Sequence, residues 1–185
     1  MSSYKIYILP MGFDDAGLIE HIRTAVEETF RFPAHRLSPQ PNPFIAFNAA
    51  RGQYSSTAIL RRMPTLLPPD SWRALCVTGA DLYVPHLTYV FGEATVDGGY
   101  SVISTARLKP EFYGEPKNDS LFLKRAVTEA VHELGHTFGL HHCTDLQCVM
   151  CFSNNITDTD RKSSDFCNTC IRQLSNKFSS LDSAA

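Results

Sequence analysis

HELGHTFGLHHC, residues 132–143, sets four histidines, a glutamate and a cysteine within twelve positions. Around it, Leu123, Val127, Ala130, Leu134 and Phe138 recur on one stripe when residues are turned by about 100° each, as on a helix with one apolar face. The same helix carries His132 and His136 one turn apart, close to the opposite side. Side chains at i and i+4 stack over one point, which is the spacing a chelated ion needs. Glu133 sits one residue further round, where its carboxylate reaches a water on that ion without becoming a ligand. A third ligand cannot come from the same straight helix. Gly139, just past the last turn, accepts the left-handed conformation that reverses a chain. His142 can then swing back to the same ion. His141 is out of this register and is assigned to solvent or a supporting position.

Working outward, a cap near Asp119 or Ser120 starts this helix and about Phe138 ends it. Upstream, KIYILP (5–10) is a short apolar strand. Asp14 or Asp15 caps a helix with Leu18, Ile22, Val26 and Phe30 at helical spacing, and Pro33 closes it. A second strand is expected around 35–38, and the prolines of 38–44 make a loop. STAILRRM (56–63) reads as a short helix and RALCVTGAD (73–81) as a buried strand. LTYVFGEATV (87–96) and YSVISTARL (100–108) flank Asp97, Gly98 and Gly99, a hairpin signal. Strands and helices alternate early, so an α+β fold is expected: a mixed, twisted sheet backed by helices. Residues 1–185 form a single domain in this scheme. About 1–139 hold the sheet and the long helix, and about 140–185 form a small cysteine-rich subdomain of weak periodicity.

Composition narrows the function classes. Seventeen basic against nineteen acidic residues give no footprint for nucleic acid or an anionic membrane. No segment approaches the roughly 20 apolar residues of a membrane span. The stretch MSSYKIYILPMGFDD has no long apolar core or cleavage site, so a cytoplasmic location is expected. In a reducing compartment, clustered cysteines are read first as thiolate metal ligands, with disulfides or buried thiols as alternatives. Cys76, inside an apolar strand, is assigned to the core.

H-E-x-x-H-x-x-G-x-x-H is the metzincin form of the zinc-protease signature. Together with CVM (148–150) and CNTC (167–170), the chain resembles the archaemetzincins. RGQY (51–54), DLYVP (81–85), FGEA (91–94) and STARL (104–108) are similar to the same family, so the resemblance covers most of the chain from residue 51. It implies a zincin-like fold with an antiparallel edge strand beside the cleft, here placed in 87–96. It also implies two zinc ions per chain. His132, His136 and His142 would hold a catalytic one, and Cys143, Cys148, Cys167 and Cys170 a structural one. Three protein ligands leave a position open, whereas four thiolates close the shell. Cys151 stands close enough in sequence to compete with Cys148. Met150 matches the family's Met-turn, the apolar floor under the histidines. Phe152 stands where some metzincins have a tyrosine ligand.

The resemblance implies a zinc-dependent peptidase acting on peptides or a restricted set of proteins. Zinc brings the pKa of a bound water to about 7, and Glu133 would act as the general base. An aminopeptidase also needs a carboxylate for the substrate's ammonium group; Glu93 is a candidate, with a solvated strand glutamate as the alternative. A non-catalytic two-zinc scaffold is the other function considered, and the presence of Glu133 argues against it. Neither nucleic acid nor membrane is expected as a partner, and the chain is expected to be a monomer.

Overall fold

The computed structural model describes residues 4–182. Strand β1 (Ile6–Met11) leads into helix α1 (Ala16–Phe30), and β2 (Ala34–Arg36) follows. A short hairpin of β3 (Phe47–Asn48) and β4 (Gln53–Ser55) precedes α2 (Ser56–Arg62). Then come β5 (Arg73–Thr78), β6 (Leu82–Tyr83), β7 (Gly92–Ala94) and β8 (Tyr100–Ser104). Helix α3 (Asp119–Thr137) carries the histidine motif, and α4 (Ile156–Arg161) and α5 (Asn168–Asp182) complete the chain. Among the described residues the strands form a five-stranded sheet, ordered β2-β1-β5-β8-β7, and a smaller sheet of β3, β4 and β6. The first four strands of the large sheet are parallel, and β7 runs antiparallel to β8 at the edge. This is the expected α+β fold with its mixed sheet.

Alternation along the strands divides the core in two. Ile6, Ile8, Leu75, Val77 and Ile103 point to α1 and α3, among Leu18, Ile22, Val26, Phe30, Ala130 and Leu134. Tyr7, Leu9, Met11, Ala74, Cys76 and Val102 point the other way and meet Ile59, Leu60 and Met63 around α2. Cys76 is thus a core residue. The C-terminal segment enters the first of these clusters through Val149, Met150, Cys170 and Leu174. Helix α5 was not anticipated. Its buried stripe begins with Cys170, whose thiol is also a potential ligand, and only Leu174 and Phe178 extend it as ordinary apolar signals.

Local chemistry fixed the boundaries. Asp15 caps α1, its carboxylate accepting from the Leu18 N–H at 3.0 Å, and Ser55 caps α2. The cap of α3 is Asn118, one residue before the positions expected; its side-chain oxygen accepts from the Leu121 N–H at 3.0 Å.

The expected strand over 87–96 is shortened to Gly92–Ala94. Side chains take the backbone groups that a longer ladder would have used. The Arg51 guanidinium donates to the Leu87 and Thr88 carbonyls at 2.8 and 2.9 Å, and Gln53 donates to Thr88 O at 3.0 Å. Gln53 also donates to Asp81, which Arg107 grips with two 2.7 Å bonds. The Arg107 guanidinium in turn lies 4.2 Å from the centre of the Tyr89 ring. The family-like stretches RGQY, DLYVP and STARL therefore converge on one polar network that shapes residues 87–89. Replacing Arg51 with Ala should cost about 0.5–1.5 kcal/mol of stability, because two exposed carbonyls exchange a charged donor for water. Faster amide exchange confined to 87–91 would show that the loss is local.

Candidate active site

From Arg125 to Thr137 helix α3 is buried all round. Val127, Ala130, Leu134 and Phe138 pack toward the sheet and α1, as their spacing requires. The second face meets the C-terminal segment through polar contacts. Arg125 makes two 2.7 Å bonds to Asp160, and Thr128 Oγ1 lies 2.9 Å from Ser164 Oγ. One turn on, Glu129 accepts from Thr159 Oγ1 at 3.1 Å. His132 and His136 continue this face into a cleft.

Each imidazole is oriented from behind. His132 Nδ1 lies 2.7 Å from the Val149 carbonyl, and His136 Nδ1 lies 2.7 Å from the Leu140 carbonyl. A carbonyl only accepts, so both Nδ1 atoms carry the proton and both Nε2 atoms present lone pairs. Those Nε2 atoms are 3.2 Å apart. The helix ends as the sequence requires: Gly139 has φ of 86°, its N–H donates to His136 O at 2.9 Å, and Leu140 N–H donates to Gly135 O at 3.2 Å. This Schellman closure turns the chain back. The His142 ring comes to 4.9 Å from His136 and 5.4 Å from His132, centre to centre. His141 lies on the cleft wall and Phe152 packs 4.8 Å from the His142 ring.

The donor sets fit zinc. Two lone pairs at 3.2 Å repel each other unless a cation lies between them. A tetrahedral ion with Zn–N bonds of about 2.0–2.1 Å would set nitrogens about 3.3 Å apart. Burial keeps these rings neutral: His136 is pushed down to about 4, and His132 is held well below the ordinary range by burial and then by the Lys162 ammonium. Among the described residues a second group also converges, and the ligand atoms within each group lie within 4.8 Å of one another. It consists of Cys143, Cys148, Cys167 and Cys170. Cys143 Sγ and Cys167 Sγ are 3.8 Å apart, matching the edge of a tetrahedron with Zn–S bonds of about 2.3 Å. Cys167, just before α5, has its thiol lowered to about 7, chiefly by the Cys170 backbone N–H. Burial raises Cys148 and Cys170 instead, so a bound cation would be what holds that pair as thiolates. Cys151 lies outside this group.

Two glycines set the close packing. Met150 is fully buried, and its sulfur lies where a side chain at Gly135 would begin, 2.6 Å from an ideal Cβ. On the other side of the cleft, a Cβ at Gly92 would meet Glu133 Cγ and Oε1 at 2.6 Å and Val102 O at 2.7 Å. Strand β7 therefore passes directly over the Glu133 carboxylate. That carboxylate is buried, and burial followed by the charge of Glu129 raises its proton affinity well above the usual range. Glu93, next along β7, accepts from the hydroxyls of Ser56 and Thr57 at the start of α2. Sequence reasoning missed Gly92, though FGEA contained it. It also missed Lys162, a fully buried lysine lining the same cleft.

Comparison with known proteins agrees with this geometry. The family model described as peptidase family M54 matches residues 44–176. The archaemetzincin of Methanocaldococcus jannaschii is 40% identical over 173 residues, 94% of each chain. The chain belongs to peptidase family M54, the archaemetzincins. It is a zinc-dependent metallopeptidase by that membership. The archaemetzincin of Thermococcus kodakarensis is 49% identical over 178 residues, covering 91% of this chain and 94% of its own. The crystal structure of the Archaeoglobus fulgidus archaemetzincin superposes with a TM-score of 0.81 at 38% identity, covering 91% of this chain and 99% of that one. No helix among the described residues is long and apolar enough to cross a membrane.

Gly92→Ala should lower peptidase activity at least about tenfold, because the methyl displaces Glu133, and should cost about 1–3 kcal/mol of stability through overpacking. Steady-state kinetics beside a denaturant titration separates the two effects. A pH effect follows from the histidines. The unfolded chain takes up protons near pH 6.5, whereas the native rings resist until lower pH, about 4 for His136. Native stability without metal at the histidine site is therefore complete above about 6.5 and declines as pH falls from there toward 4. Glu133 acts in the opposite sense, its raised proton affinity costing stability as pH rises, but it is one group against His132, His136 and His142, whose proton affinities burial lowers. Urea midpoints between pH 4.5 and 7 should show the decline, and His136→Gln should flatten it.

Proposed function

We propose that this chain hydrolyses peptide bonds with Glu133 as the general base, holding one zinc ion at His132, His136 and His142 and a second at the four cysteines. The observation that carries the mechanism is the place of Glu133: a buried carboxylate next to His132 on α3, directly beneath Gly92 of strand β7 and lining the same cleft as the histidines. Bound zinc supplies a Lewis acid and an acidified water in the open position of a three-histidine site. Glu133 takes the proton from the attacking water and later gives it to the leaving amine. Strand β7 ends the sheet, so its outer edge is available to an extended peptide, which pairs there with little demand on side chains. Cys143, Cys148, Cys167 and Cys170 would hold the second zinc, and Cys143 would thereby fix the loop that presents His142.

The cleft favours small substrates. Its volume is about 470 Å³, within the size range of small-ligand sites. Tyr89 on one wall donates its hydroxyl to Asn154 O on the other at 3.2 Å. A bridge across the cleft admits peptides or chain ends more readily than the middle of a folded protein. Glu93 is the candidate for the substrate's ammonium group. It borders the cleft on edge strand β7, with its carboxylate held by Ser56 and Thr57 on the α2 side of the sheet, so a substrate's amino terminus would meet it by reaching round that edge. A reducing, cytoplasmic setting suits four thiolate ligands, and a monomer is consistent with a site built from one chain.

A diverse peptide library with the zinc-loaded protein, read by mass spectrometry, tests the proposal. New termini should appear with the native protein and be absent with Glu133→Ala. They should lie at amino termini, and Glu93→Gln should weaken them. Identical product sets from native and Glu133→Ala protein would refute the mechanism, and mainly internal cuts would refute the aminopeptidase assignment. Casein should be cut slowly, and Tyr89→Ala should speed casein relative to tripeptides.

A further inference from the structure

Lys162 and Glu129 form a buried ion pair in the wall of the cleft. Their side chains are 1% and 3% exposed, and Nζ lies 3.3 Å from Glu129 Oε1. The ammonium also donates to the Cys151 carbonyl at 3.1 Å and lies 3.4 Å from His132 Nδ1. Since His132 Nδ1 carries a proton toward Val149 O, the lysine cannot donate to it; the 3.4 Å approach is proximity, not a bond. The two true partners of Lys162 therefore belong to different elements. Glu129 is on α3, one turn before His132 and Glu133. Cys151 follows Met150 on the turn whose Val149 carbonyl orients His132.

An ion pair taken out of water gains little stability, because desolvation offsets the attraction. The residues next to the two partners of Lys162, Ala130 beside Glu129 and Met150 beside Cys151, are themselves buried and apolar. The polar contacts above it, Arg125–Asp160 and Thr128–Ser164, already dock the C-terminal segment on α3. What Lys162 adds is a tie at the level of the ligands. It sets the distance between α3, which carries the His132 Cα, and the turn that carries the oxygen behind the His132 ring.

We propose that Lys162 and Glu129 are positioning residues that lock the Met150 turn to α3 and thereby aim His132 at the metal. This rests on the histidine site being a zinc site. Its test is direct metal binding, so the two ideas fail separately. Zinc affinity at the histidine site is measured by chelator competition on protein whose four-cysteine site is loaded. The variants are Lys162→Met, Glu129→Gln and the apolar pair Glu129→Leu with Lys162→Met. Each single change strands a buried charge or its partner and should lower the thermal midpoint. The double change removes both charges and should recover the midpoint, yet leave zinc about 10- to 100-fold weaker at the histidine site. The cobalt-substituted double variant should also show an altered visible spectrum, which a merely structural role would not produce. A double variant with native midpoint and native zinc affinity would overturn the proposal. Should it not fold, Lys162→Gln, which keeps a donor for Cys151 O, is read in its place: native affinity there again overturns it, and weakened affinity supports it. Absence of zinc binding by the native histidine site would instead sink the zinc assignment beneath it.

Discussion

Two imidazole lone pairs held 3.2 Å apart are the constraint on which the rest of the site depends. Left alone, the rings would rotate apart or take up a proton. Each is prevented from rotating by a carbonyl behind its Nδ1, and burial opposes the proton. The Val149 and Leu140 carbonyls come from two different turns of chain beyond the helix. Both turns must be fixed before the rings can be. Gly139 fixes the first by closing α3 with a left-handed residue, and the packing of Met150 against Gly135 fixes the second. Either glycine exchanged for a larger residue would act on the histidines from a distance.

Helix α3 can serve this purpose because it is buried on two faces of different character. Its apolar stripe meets the sheet and α1, which anchors it by area without fixing its rotation closely. The other face meets residues 149–164 through hydrogen bonds and ion pairs, which have narrow distance requirements. Apolar packing supplies most of the driving force for burial; the directional contacts set the register. A helix held only by its stripe would leave His132 and His136 free to roll by some degrees, enough to separate two nitrogens that must share one ion.

Much of this was legible in the sequence where a single element carries the signal. The stripe from Leu123 to Phe138, the i, i+4 histidines and the φ-permissive Gly139 are all local, and each was found where expected. The groups that depend on chain segments far apart were not legible. Nothing in LTYVFGEATV indicates that Arg51 and Gln53 will take its first carbonyls and shorten the strand. Lys162 stands in an unremarkable polar stretch, DRKSSD, and only the fold places it beside Glu129, 33 positions earlier. Gly92 and Glu133 are likewise distant in sequence and touching in space. Helix α5 was hidden for a chemical reason, since a cysteine that packs apolarly and can also bind metal gives an ambiguous signal in a periodicity count.

The adjacency of His142 and Cys143 has a consequence for how the two metal sites share one loop. Cys143 N–H donates to Met150 O at 2.9 Å, so the segment bearing the third histidine is bridged to the turn bearing the floor of the site. Cys148 begins that turn, and its sulfur accepts from the Cys167 N–H at 3.3 Å. The four thiols thus tie the His142 segment, the Met150 turn and the start of α5 to one point. His142 is the exposed member of the histidine trio, and among the described residues no carbonyl stands behind its ring as one does behind each of the other two. Its orientation comes through the backbone, from the residue next to it. On the proposed two-zinc reading, a closed four-thiolate centre would supply that rigidity, because it needs no open position and would hold its geometry while the neighbouring site admits and releases substrate.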